Sequence, residues 1–202
     1  MKAPEESFSP LAAIDAIVIG ASAGGVEALS QLLPALPAGF RPAVLVVVHV
    51  RADSPSLLPE LFAARCRLPV VEPDDKATIA GGTIYLAPPG YHMLVEPDGT
   101  ISLSVDPPVR FSRPSVDVLF ESAALCFGDA LLGIVLSGAN DDGARGLEAI
   151  ERAGGRCWVQ DPETAGSDAM PRGAIARVGV HDVLTIDAMA ARLRGIGQGS
   201  AT

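Results

Sequence analysis

Three polar side chains stand where apolar runs of this chain stop. A hydroxyl, an imidazole and a carboxylate are the parts from which acyl-transfer chemistry is built. The hydroxyl belongs to Ser22, in Gly20-Ala21-Ser22-Ala23-Gly24, directly after Ala16-Ile17-Val18-Ile19 and before the amphipathic stretch Val26-Glu27-Ala28-Leu29-Ser30-Gln31-Leu32-Leu33. That is strand, tight turn and helix, and the turn matches G-x-S-x-G, in which small neighbours let a serine sit exposed on a sharp bend. The imidazole is that of His49, one of only three histidines, closing the run Val46-Val47-Val48. The carboxylates are Asp141 and Asp142, in Gly133-Ile134-Val135-Leu136-Ser137-Gly138-Ala139-Asn140-Asp141-Asp142-Gly143, where another apolar run enters a small-residue loop. Open parallel sheets bind ligands at the carboxyl ends of their strands, so all three segments would deliver their polar groups to one edge. The loop from Gly138 to Gly143 also offers backbone N–H groups of the kind that bind an oxyanion.

The same residues leave other chemistry open. A dinucleotide site needs glycine at position 22 and an acidic residue at the end of the next strand; Ser22 and His49 stand there instead. No Gly-Lys-Ser/Thr occurs, which excludes a P-loop. The Ser22 turn could serve only to pack a helix on a strand, and either aspartate could simply cap the helix that follows. A nucleotide-binding oxidoreductase and a non-catalytic docking module are therefore the rival readings. His92, after Pro88-Pro89-Gly90-Tyr91, is a further candidate, whereas His181 in Val178-Gly179-Val180-His181-Asp182 reads as a surface turn. The chain order Ser, His, Asp differs from the Ser, Asp, His order of α/β hydrolases.

Elements to position these groups are legible. Buried strands are predicted at Ile14–Ile19, Ala43–His49, Leu131–Ser137 and Arg156–Gln160, and helices at 25–36, 55–66, 115–127, 142–153 and 187–194. Strands apolar on both faces and separated by helices imply a mostly parallel sheet between helical layers, an α/β fold of three layers, α/β/α. Thr83–Ala87 reads as a short strand. His92–Glu96 and Thr100–Val105, joined by Pro97-Asp98-Gly99, read as an antiparallel hairpin inserted in or appended to the sheet. Residues 1–12 and 195–202 read as flexible tails around one folded unit, 13–194.

Composition narrows the partners. The chain has 202 residues, a formal net charge of −9 and 49% apolar residues, with a pI near 4.7. It lacks the positive footprint that nucleic acid or an anionic membrane requires. No apolar run reaches the roughly 18–20 residues of a membrane span, and no apolar signal core follows Met1-Lys2-Ala3-Pro4. Cys66, Cys126 and Cys157 are odd in number and have no metal spacing, as expected of reduced structural thiols in a cytoplasmic protein.

Taken together, Ile19-Gly20-Ala21-Ser22-Ala23-Gly24-Gly25, Val48-His49, Leu86-Ala87-Pro88-Pro89-Gly90-Tyr91-His92-Met93, Arg113-Pro114-Ser115-Val116-Asp117-Val118-Leu119-Phe120, Leu136 to Ala144 and Ala169-Met170-Pro171 resemble, in order and spacing, the catalytic domain of the CheB-type chemotaxis protein-glutamate methylesterases. The resemblance runs from about Ile14 to Leu193. It implies a doubly wound, Rossmann-like sheet and a triad of Ser22 as nucleophile, His49 as base and Asp142, rather than Asp141, as acid. It places backbone oxyanion donors at Ala23 and Ala139, and substrate positioning at Arg113 and Ser115. It implies no cofactor and no metal, and a methylated chemoreceptor or related sensory protein as partner, with deamidation of glutamine as a second activity. Arg110 and Arg113 are the local basic groups available for docking on acidic receptor helices. Two departures stand out. The family often has Gly-Met-Gly-x-Asp-Gly where this chain has Gly138-Ala139-Asn140-Asp141-Asp142-Gly143. With so few residues before the first strand, either an isolated domain or a stand-alone form without the receiver domain is expected.

Overall fold

Strands form where aliphatic and β-branched residues run without a charge, and helices where the apolar period lengthens to 3.6. The computed structural model describes residues 14–49, 56–179 and 182–196. Its elements are β1 (Ala16–Ala21), α1 (Gly25–Leu32), β2 (Ala43–Val48), α2 (Leu58–Ala63), β3 (Val70–Val71), β4 (Ile84–Leu86), β5 (His92–Val95), β6 (Ile101–Ser104), α3 (Val116–Phe127), β7 (Leu131–Val135), α4 (Ala144–Arg152), β8 (Arg156–Gln160), α5 (Ala169–Arg177), β9 (Asp182–Leu184) and α6 (Ile186–Ile196). Seven strands make one sheet in the order β3-β4-β2-β1-β7-β8-β9, and every pair in it is parallel. The order reverses at β1, so β2 and β7 flank it and the three loops singled out in the sequence leave neighbouring strand ends. The fold is the mostly parallel, doubly wound α/β/α class.

Alternation along each strand divides the core. Ile17, Ile19, Val44 and Val46 pack on one side with Leu29, Leu32, Phe62 and Met189 of α1, α2 and α6. Ala16, Val18, Leu45 and Val47 pack on the other with Phe120, Leu147 and Ala174 of α3, α4 and α5. The hairpin is β5–β6, a separate two-stranded antiparallel sheet. It docks on α3, where the Val95 N–H donates to Ser122 Oγ at 3.0 Å.

Several boundaries differ from expectation. β1 starts and stops two residues later than the apolar run, because its last residues pair with Val47 and Val48 of β2. β3, β9 and α5 went unpredicted, and Thr83–Ala87 contributes β4 to the main sheet. α6 runs through Ile196, past the expected start of the tail. The expected N-terminal tail and His181 lie outside the described residues.

The first turn of α3 is wedged against the end of β1. A Cβ on Gly20 would fall 2.2 Å from Val116 Cγ1, and one on Gly143 2.8 Å from the same atom. Gly20→Ala is accordingly expected to lower stability by about 1–3 kcal/mol through overpacking, read as a reduced urea midpoint at unchanged slope.

Candidate active site

The carboxyl ends of β2, β1 and β7 present His49, Ser22 and the 138–143 loop side by side. Ala21 pairs with Val48, so Ser22 and His49 are the next residues on adjacent strands, and the His49 N–H donates to Ala21 O at 3.1 Å. On the other flank the Ser22 N–H donates to Ser137 O at 2.9 Å. The turn that follows uses Gly24 at φ +78° as N-cap of α1. Such a conformation suits glycine, and a Cβ there would also approach Ser137 Oγ to 2.7 Å. Ser22 thus stands just ahead of a helix N-terminus, whose dipole favours developing negative charge. Gly138 is equally constrained, since a Cβ there would lie 1.9 Å from Met170 Sδ and 3.0 Å from Ser22 Cβ.

Of the two adjacent carboxylates, Asp142 turns inward and Asp141 outward. Asp142 is 0% exposed, and its Oδ2 lies 2.8 Å from His49 Nε2. The same carboxylate accepts from Ser115 Oγ at 2.9 Å, from the Val116 N–H at 2.8 Å and from the Asp117 N–H at 3.0 Å. These are the N-cap residue and first two residues of α3, so Asp142 caps that helix from a different segment of chain. Asp117 returns the contact: its Oδ1 accepts from the Gly143 and Gly146 N–H groups, at 2.9 and 2.8 Å, at the start of α4. Each aspartate satisfies the free donors of the other's helix.

The exchange separates the two acids electrostatically. Burial works against the Asp142 charge, but the bonds from His49 and from the Asp117 and Val116 N–H groups outweigh it and hold the carboxyl below the usual carboxylate range. Asp117 moves the other way: burial, helped by the Asp142 charge, pushes it up despite its bonds from Gly146 and Gly143. Its Oδ2 has no hydrogen bond and faces Arg110 Nε at 3.6 Å. Arg110 also pairs with Asp141, and that bond raises the guanidinium further above its ordinary value.

Arg110 and Phe111 form a tight turn in which Val109 and Ser112 exchange both backbone hydrogen bonds. Both central residues have positive φ, +49° and +66°, and Phe111 is fully exposed.

Several residues hold other places than the sequence suggested. Ser115, expected at the substrate, is wholly buried and gives its hydroxyl to Asp142. Arg113, expected in the same role, spends its guanidinium on the Val105 and Asp106 carbonyls at 2.7 and 3.0 Å, at the end of the hairpin. His92 is buried as well. It accepts the Ser115 N–H at Nδ1 and lies against Pro107 O through Nε2, both at 3.2 Å, so it ties the hairpin to the start of α3. Ala23 and Ala139 are exposed, and among the described residues neither N–H has an intramolecular acceptor.

Sequence reasoning missed Asp117, Ser137 and Gln160. The Ser137 N–H donates to Gln160 Oε1 at 2.8 Å, and Ser137 Oγ donates to Ala23 O at 2.6 Å, bracing the Ser22 turn from the loop after β7 and the end of β8. The polar residue directly after an apolar run was the available signal for both. The cysteines stay apart from the site and are unpaired, and burial pushes the Cys157 thiol up to about 12.

The CheB methylesterase family model matches residues 17–193. The chain belongs to the CheB methylesterase family. A Leptospira interrogans relative provisionally named protein-glutamate methylesterase/protein-glutamine glutaminase is 44% identical over 176 residues, 87% of this chain and 91% of the relative. Protein-glutamate methylesterase FrzG of Myxococcus xanthus is 36% identical over 177 residues, 88% of this chain but 53% of FrzG. The crystal structure of the Thermotoga maritima CheB methylesterase catalytic domain superposes with a TM-score of 0.86 at 26% identity, covering 92% of this chain and 100% of that one. This CheB-family chain therefore corresponds in extent to the catalytic domain, and it spans about half the length of FrzG. Among the described residues no helix is long and apolar enough to cross a membrane.

Proposed function

We propose that this chain is a serine hydrolase that removes methyl groups from γ-glutamyl methyl esters of a partner protein. The observation that carries the reading is the 2.8 Å contact of His49 Nε2 with buried Asp142, on the strand next to the Ser22 turn. A carboxylate only accepts, so Nε2 bears the ring proton and Nδ1 is the free base. Ser22 Oγ attacks the ester carbonyl and its proton passes to Nδ1, while the carbonyl electron pair moves onto oxygen. The Ala23 and Ala139 N–H groups receive that oxyanion. The C–OCH₃ bond then breaks as His49 returns the proton to the leaving oxygen, and methanol departs. Water repeats the sequence on the acyl-enzyme, restoring Ser22 and leaving a glutamate carboxylate. Asp142 stays ionised throughout and holds the imidazolium. No step calls for a metal or cofactor.

The same acyl chemistry with ammonia as leaving group is deamidation of glutamine, in keeping with the two activities in the name of the Leptospira relative. A methylated chemoreceptor or related sensory protein is the proposed partner, and the cytoplasm the proposed compartment. The test is methanol release from a methylated receptor signalling domain, run beside labelling of the enzyme by a fluorophosphonate. Catalytic methanol release with label on Ser22 is expected. A chain that docks on the receptor yet neither releases methanol nor takes label is a binding module, and the hydrolase reading then fails.

A further inference from the structure

Around His49 three contacts close into a ring. The Asp142 N–H donates to Asn140 Oδ1 at 3.2 Å, Asn140 Nδ2 lies 3.4 Å from His49 Nδ1, and His49 Nε2 lies 2.8 Å from Asp142 Oδ2. Chemistry fixes every direction in this ring. A backbone N–H only donates, so the Asn140 oxygen must face Asp142 and its NH₂ must face the imidazole. A carboxylate only accepts, so Nε2 carries the proton and Nδ1 presents its lone pair to that NH₂. The nitrogen that has to receive the Ser22 proton is therefore already occupied by a donor, and that donor is an amide. Among the described residues the Ser22 hydroxyl itself has no hydrogen-bond partner.

We propose that Asn140 takes the place of the Ser22 hydroxyl on His49 Nδ1 in the resting enzyme and so sets how readily the base becomes available for acylation. The inference rests on the hydrolase reading above. Among the described residues Asn140 contacts the base and the Asp142 N–H, not the nucleophile, so it acts through His49 and is a positioning residue. Before attack, the amide N–H must leave Nδ1 and the Ser22 O–H must replace it. Once Nδ1 is protonated, the amide N–H would face another N–H, so Asn140 also opposes the imidazolium that follows attack. At 3.4 Å the contact is longer than an ordinary N–H hydrogen bond and correspondingly weak, which keeps the exchange feasible. The bond to the Asp142 N–H holds the amide in this orientation, so withdrawal from Nδ1 is a movement of the arm and not a flip of its plane.

Asn140→Ser separates the two halves of the arrangement. A serine hydroxyl can still accept the Asp142 N–H in a local turn, but it has no amide to reach Nδ1. The second-order rate of fluorophosphonate labelling at Ser22 reports how freely Ser22 and the base engage, without a physiological substrate. Labelling of Asn140→Ser is expected to be about three- to tenfold faster than wild type, the span of one modest hydrogen bond. In ¹⁵N spectra of the imidazole, the His49 Nδ1 signal of the variant should move toward that of an unbonded acceptor, while Nε2, still on Asp142, stays in place. Equal or slower labelling overturns the proposal, as does an unmoved Nδ1 signal. Wild-type enzyme that takes no label at Ser22 strikes the hydrolase reading and this inference with it. Labelled wild type with no gain in Asn140→Ser strikes the inference alone.

Discussion

Ser22→Ala is expected to reduce methanol release by about 10⁴- to 10⁶-fold, the loss seen when a triad nucleophile is removed. It should leave stability within about 0.5 kcal/mol, as for substitutions that break no buried contact. The two halves of that expectation have separate structural grounds. Catalysis falls because the substitution removes the hydroxyl that the proposed mechanism uses as nucleophile. Stability holds because the Ser22 side chain has no hydrogen-bond partner among the described residues, and the turn is kept by backbone groups: the Ser22 N–H on Ser137 O and the Gly25 N–H on Ser22 O. The measurement is kcat from methanol release alongside a urea melt. A variant retaining more than a few per cent of wild-type turnover would remove Ser22 from the mechanism.

Asp142→Ala is expected to damage both function and fold. Loss of the triad acid costs on the order of 10⁴ in kcat. The same change strips partners from the Val116 and Asp117 N–H groups, from Ser115 Oγ and from His49, and leaving these largely buried donors unsatisfied costs about 3–5 kcal/mol. The pH dependence follows from the direction of the shift. Asp142 has a folded pKa below its unfolded value, so its contribution is complete above the ordinary carboxylate range, near about 3.9, and is lost as pH falls through the folded value. Asp117 has a raised folded pKa. Its contribution is present below that range, lost as pH rises through the folded value, and so partly offsets the loss at Asp142 in acid. The stability gap between wild type and Asp142→Ala should therefore be widest near neutrality and should narrow below pH of about 4. A gap independent of pH, measured by urea unfolding at several pH values, would contradict the assigned charge state.

How much of this was legible beforehand depended on sequence distance. Ser22, His49 and the 138–143 loop announced themselves because each follows a long aliphatic run, and topology then makes β2, β1 and β7 neighbours. β3 and β9 are two and three residues long, too short for any period to register. α5 hid because Pro171 and Gly173 interrupt its pattern; Pro171 is tolerated because it falls in the first turn, where its missing N–H had no partner to lose. The capping exchange was beyond reach for a different reason. Asp117 and Asp142 are 25 residues apart in sequence, and nothing local tells an aspartate in a helix's first turn from one that also caps a second helix. Ser115 was placed at the substrate by the resemblance alone, and only the fold brings Asp142 within reach of its hydroxyl. Arg113 was placed at the substrate on the same resemblance, and nothing local in the sequence pointed to its bonds with the Val105 and Asp106 carbonyls.

The crossed caps of α3 and α4 couple the chemistry to the completeness of the molecule. If either helix frays at its beginning, bonds that orient Asp142 toward the imidazole go with it, and a partly opened chain is expected to lose reactivity toward esters before it is visibly unfolded. Amide exchange at positions 116, 117, 143 and 146 should then proceed as a single cooperative opening whose free energy equals that for losing nucleophile reactivity. A nascent or damaged copy would carry every catalytic side chain and still spare the esters around it.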